Sequence, residues 1–161
     1  NWLSFWQTND SNSNDGDLFV NPDGGIGISA DYNGTISGDT WHRVAFVFGL
    51  FDDNGTTSTA LLKFIDGTLA GAQNLGSGVD GRWSLYPTDD TFFNGAYLFA
   101  DNSGDMSDAA VGAFLFDDRA WSVDEIAALG GASYGTLGVV PAPGAVALLG
   151  SAAAVGMRRR R

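Results

Sequence analysis

Carboxylates are the chief chemical resource of this chain: it carries 19 Asp and Glu residues, one histidine and no cysteine. Glycoside hydrolysis needs two carboxyls across the scissile bond, one with a raised pKa. Glu125 is the only glutamate, and it stands at a helix start in a capping position. The pairs Asp52-Asp53, Asp89-Asp90 and Asp117-Asp118 are adjacent in sequence. Neighbours on an extended segment point to opposite sides, so no pair makes a ready dyad. His42 is read as a strand-end side chain with no catalytic or metal role, because no second histidine or cysteine exists to join it. Gly24-Gly25 and Gly130-Gly131 lack the lysine and the strand-to-helix setting of a phosphate loop. The chain is therefore expected not to be an enzyme.

Two loops concentrate the oxygen donors that a hard cation takes. Asn12 to Asp17 holds Asp15 and Asp17; the second loop holds Asp101, Asn102, Asp105 and Asp108. These six residues are the candidate calcium ligands, and calcium is the one cofactor expected. Neither loop matches an EF-hand, and the same Asp and Asn residues also serve as solvated turn formers. For sugar stacking the candidates are Trp2, Trp6, Trp83 and Tyr86, with core packing as the alternative.

Composition limits the scaffold and the partners. The chain has 161 residues, enough for one domain, and 23 are glycine. Abundant Gly, Asp, Asn, Ser and Thr favour turns over helices. Every acidic residue lies at or before Glu125, opposed there only by Arg43, Lys63, Arg82 and Arg119. So acidic a surface repels nucleic acid. With no cysteine, disulfides and thiolate metal sites are excluded.

The pattern predicts an all-β antiparallel sandwich. Strands are expected at Trp2 to Gln7, Leu18 to Val20 and Ile26 to Ile28, with a loop from Thr8 to Asp17. Trp41 to Phe48 should be covered on both sides, with Val44, Phe46 and Phe48 on one face and Trp41, Ala45 and Val47 on the other. Leu61 to Ile65 and Thr68 to Ala70 flank Asp66-Gly67, which suits a type I′ hairpin. Later strands are expected at Arg82 to Leu85, Ala96 to Ala100 and Val111 to Phe116. One short helix follows: Ser122 caps it, Glu125 completes a capping box, Ile126 and Leu129 face the core, and Gly130-Gly131 stops it.

Four segments together resemble the laminin G-like, concanavalin A-type jelly roll of bacterial surface proteins. They are Trp41-His42-Arg43-Val44-Ala45-Phe46, Phe64-Ile65-Asp66-Gly67, Tyr97-Leu98-Phe99-Ala100-Asp101 and Arg119-Ala120-Trp121-Ser122-Val123-Asp124-Glu125-Ile126. The resemblance implies a jelly roll over 1–131, and frequent calcium use. Many relatives place aspartates where this chain has Gly112 and Ala113. Jelly-roll glycosidases of this kind carry paired glutamates on one strand, which this chain lacks. The family's first strands are expected upstream of Asn1, which would leave Trp2, Phe5 and Trp6 near an open sheet edge.

Beyond a linker at 132–140, residues 141–161 resemble the bacterial PEP-CTERM sorting signal read by exosortase-type membrane enzymes. Pro141-Ala142-Pro143 stands in for its Pro-Glu-Pro element, Ala145 to Met157 is its apolar helix, and Arg158, Arg159, Arg160 and Arg161 are its basic end. As a helix that run spans roughly 20 Å, short of a ~30 Å hydrocarbon core. The arginines would stay cytoplasmic and hold the domain outside. The expected protein is exported to the cell envelope, surface or extracellular matrix of a bacterium. There it would serve as a non-catalytic binding or adhesion module for a glycan or a surface protein. The alternatives are a matrix protein without a specific ligand, or an accessory domain of a hydrolase whose catalytic part lies elsewhere.

Overall fold

The computed structural model describes residues 2–7, 17–53, 56–74, 97–101, 104 and 106–133. It contains two antiparallel sheets and one short helix, a β-sandwich in outline. The strands are β1 (Leu3–Gln7), β2 (Asp17–Val20), β3 (Ile26–Ile28), β4 (Asp31–Asn33), β5 (Val44–Asp53), β6 (Thr56–Ile65), β7 (Thr68–Asn74) and β8 (Tyr97–Leu98), and the helix is α1 (Val123–Leu129). One sheet has the order β4-β3-β2-β1-β8; the other is the meander β5-β6-β7.

The meander forms the middle layer because alternate residues of β5 and β6 are apolar on both faces. Val47, Leu62 and Phe64 bury against Trp121 and Ile126, with Ala45 and Leu129 packed beside them. On the opposite face Leu61 buries with Trp6 and Leu18 of the other sheet, and Phe46, Phe48, Phe5 and Ile28 surround them. The two-sided strand expected from the pattern is therefore present. Leu61 and Phe64 are wholly buried, a gain of about 1.5–3 kcal/mol for each such side chain.

Asp66 and Gly67 join β6 to β7 with φ of 52° and 78°, both left-handed as a type I′ turn requires. A Cβ on Gly67 would lie 2.9 Å from Gly130 Cα, so the helix end rests on this turn. Ser122 and Glu125 form the expected capping box: the Glu125 N–H donates to Ser122 Oγ (3.2 Å) and the Ser122 N–H to Glu125 Oε2 (2.8 Å). Gly130, at φ 62°, ends the helix.

Several expectations are corrected. β5 starts at Val44, not Trp41, because Asp66 occupies the Arg43 backbone: the Asp66 N–H donates to Arg43 O, and the Arg43 N–H donates to Asp66 Oδ1. Val111–Phe116 is not a strand; among the described residues no ladder partner faces it, and its side chains are exposed. It is held by its rings, with Phe116 stacked on Trp6 at 5.4 Å and Phe114 edge-on to Phe99 at 6.0 Å. Of the strand expected at Ala96 to Ala100, Ala96 lies outside the described residues, Tyr97–Leu98 form β8, and the strand ends there because Phe99 turns to φ 52°. β1, with Trp6, lies between β2 and the two-residue edge strand β8. Asp17 opens β2 instead of closing a loop. β4 was not anticipated, and its hairpin turn uses Ser29 and Ala30 at φ 52° and 66°. The strand expected at Arg82 to Leu85 and the C-terminal helix lie outside the described residues.

Candidate functional site

Two of the four resemblance segments, those of His42-Arg43 and of Asp66-Gly67, meet at the Asp66 carboxylate. Its Oδ1 accepts the Arg43 N–H at 2.8 Å and its Oδ2 meets His42 Nδ1 at 2.7 Å. Ser37 lies on the other side of the imidazole, its backbone N and its Oγ each 3.2 Å from His42 Nε2. A backbone N–H can only donate, so Nε2 carries the lone pair and Nδ1 the proton that Asp66 accepts. Burial opposes ionisation of Asp66. The Arg43 N–H, the His42 imidazole and the Ala132 N–H outweigh it and hold the carboxyl below its ordinary value.

Ser37, His42 and Asp66 thus stand in the order of a nucleophile, base and orienting acid, an arrangement the sequence reading missed. The lone pair that a general base would use already accepts the Ser37 amide, so the chain of contacts reads as a fastening between a loop and a turn. Arg43, the next residue, extends it. Its guanidinium donates to the carbonyls of Leu129 and Gly130 and, at 2.9 Å, to Ser133 Oγ. A cation at a helix C-terminus also opposes the negative end of the helix dipole.

A second network prepares the helix entry. The Arg119 guanidinium lies 4.6 Å over the Trp121 ring and donates to Glu125 Oε1 at 2.9 Å. Trp121 Nε1 donates to Asp117 Oδ2 at 2.6 Å. Asp117 is held below its ordinary value first by that indole N–H, and Glu125 first by the Ser122 N–H. A glycosidase acid must have its pKa raised. The lone glutamate has moved the other way and is committed to capping.

Of the six candidate calcium ligands, Asp17, Asp101 and Asp108 lie among the described residues. Asp15, Asn102 and Asp105 lie outside the described residues, as do Trp83 and Tyr86. Asp17 stands in β2, Asp101 is partly buried and Asp108 is exposed. Among the described residues no three His, Cys, Asp or Glu gather where they could hold a metal. Of the sugar-stacking candidates, Trp6 belongs to the core and Trp2 packs edge-on to Phe19 and Tyr32. Among the described residues the exposed indole is Trp41, 52% accessible and beside Gly112, whose Cβ would lie 3.5 Å from the ring. Val111, Phe114, Leu115 and Phe116 of the same neighbouring segment are exposed as well. The sequence placed Trp41 on a strand face, and no periodicity signals a strand that starts three residues late.

Pro141, Ala142, Pro143 and Arg158 to Arg161 lie outside the described residues. Among the described residues no helix is long and apolar enough to cross a membrane. No protein-family model, curated protein or solved structure matches the chain.

Proposed function

We propose that this is a laminin G-like jelly-roll domain acting as a non-catalytic binding or adhesion module at a bacterial surface. Its ligand is a glycan or a surface protein, and its C-terminal tail is an address read by an exosortase-type enzyme. One observation carries the reading: the large apolar side chains of Trp41, Val111, Phe114, Leu115 and Phe116 are each exposed on a strongly acidic domain. Exposed apolar patches rimmed by polar residues are where soluble proteins meet partners. The polar residues best placed for chemistry support the same reading. Asp66, Asp117 and Glu125 hold turns and helix ends, and all three carboxyls are shifted toward the ionised form. A glycan array probed with the protein and with Trp41→Ala and Phe114→Ala tests it. Binding that both substitutions abolish without changing the melting temperature supports the reading. Turnover of a glycan or ester abolished by a single substitution would replace it with a hydrolase.

A further inference from the structure

The Ser37–His42–Asp66 fastening is asymmetric in its response to a proton. We propose that His42 is a proton-operated latch, which holds the 34–41 loop through the Ser37 amide when neutral and lets that amide go when protonated. The contact to Asp66 uses Nδ1–H and survives protonation. The contact from the Ser37 N–H needs the Nε2 lone pair, and protonation removes it. Ser37 Oγ, also 3.2 Å from Nε2, then accepts the new N–H in place of the lost contact. The imidazole thereby exchanges a backbone hook for a side-chain hook, while the turn half of the latch stays closed.

The groups around the ring leave this exchange to His42 alone. The β6–β7 turn presents Asp66, whose Oδ2 lies 2.7 Å from Nδ1. The helix end presents Gly130, Gly131 and Ala132, none of which titrates. The adjacent Arg43 turns its guanidinium to Leu129 and Gly130. Asp39, in the loop itself, is exposed to solvent. Ser37 is exposed as well, so water receives its amide on release and no buried donor is stranded. Trp41 directly precedes His42, so this exchange of hooks takes place beside that indole.

His42 is the only histidine in the chain, so its ring resonances are read without overlap. The test is hydrogen exchange of the Ser37 amide by NMR, expressed as protection over the intrinsic rate, alongside the His42 ring resonances in the same samples. Protection should fall roughly fivefold, the worth of one hydrogen bond, with the midpoint of the ring titration. His42→Gln, which cannot titrate, should remove the step. Protection that stays flat across the ring titration would overturn the proposal, as would the same step in His42→Gln. Should that variant fail to fold, the wild-type comparison of the two midpoints decides alone: coincidence supports the latch and separation refutes it.

Discussion

Lys63 Nζ lies 3.0 Å from Asp31 Oδ1 and 2.7 Å from the Asp31 carbonyl oxygen, with the lysine side chain wholly buried and the aspartate 40% exposed. This is the only lysine in the chain, and it crosses from the meander to the β3–β4 hairpin of the other sheet. The two ends of the pair are unequal. Asp31→Ala leaves an ammonium in the interior with one carbonyl, which should cost about 2–4 kcal/mol. Lys63→Met leaves an aspartate that water already reaches, and should cost only about 1 kcal/mol. Urea denaturation of both variants checks the order, and a larger loss for Lys63→Met would contradict it.

The turn beneath the helix permits a second test. Gly67 sits at φ 78° and a Cβ there would meet Gly130 Cα at 2.9 Å. Gly67→Ala should therefore destabilise by more than about 1 kcal/mol, combining backbone strain with displacement of the helix end. Arg43→Lys should also destabilise, because one ammonium cannot reproduce a guanidinium shared among two carbonyls and Ser133. Thermal melts of the two variants and their double mutant should show less than additive losses, since both act on the same junction. Full additivity would mean that the junction is not one unit.

Features written over a few residues were legible in the sequence. Ser122 and Glu125 are three apart and define a capping box without reference to the fold, and Asp66-Gly67 announces a left-handed turn by residue type. The two-sided packing of β5 was legible because Ala45 and Val47 alternate with Phe46 and Phe48. Features that depend on a distant partner were not. The Ser29-Ala30 turn lacks the residues that mark left-handed φ, so β4 passed unseen. The residue types of Val111–Phe116 suit a strand but carry no information on a ladder partner. His42 meets a carboxylate 24 residues away, and only the pairing of β5 with β6 brings them together.

Three carboxylates tie stability to pH in one direction. Asp66, Asp117 and Glu125 are each lowered from ordinary values of 3.8, 3.8 and 4.5. A lowered carboxyl contributes stability that is complete above its unfolded value and is lost as pH falls through its folded value. The melting temperature should therefore hold steady in its carboxylate contribution above about pH 5 and decline steadily below it. Asp66→Asn should flatten part of that decline. It should also lower stability at neutral pH, since an amide N–H₂ placed against His42 Nδ1–H leaves two donors facing each other. A wild-type melting temperature that does not fall between about pH 5 and 3 would refute the assignment.

The boundary between domain and tail gives the last prediction. Ala132 and Ser133 fall in the segment that composition marks as linker, yet both bond to the junction: the Ala132 N–H donates to Asp66, and Ser133 Oγ accepts from Arg43. A chain ended after Gly131 loses both contacts, while one ended after Ser133 keeps them. Ending at Gly131 should therefore lower stability by about 1–2 kcal/mol, and ending at Ser133 should leave the melting temperature close to that of the full chain. Pro141 and Pro143 disfavour helix just before them, so Ala145 to Met157 should contribute little to the domain. Both truncations lack the Pro-Ala-Pro element and the arginines, so both should fail to reach the cell surface, whichever is the more stable. Surface labelling in a host that carries an exosortase-type enzyme separates the two roles. Normal delivery of the chain ended at Ser133 would remove the sorting role from the tail. Loss of stability in that same chain would make the tail part of the fold.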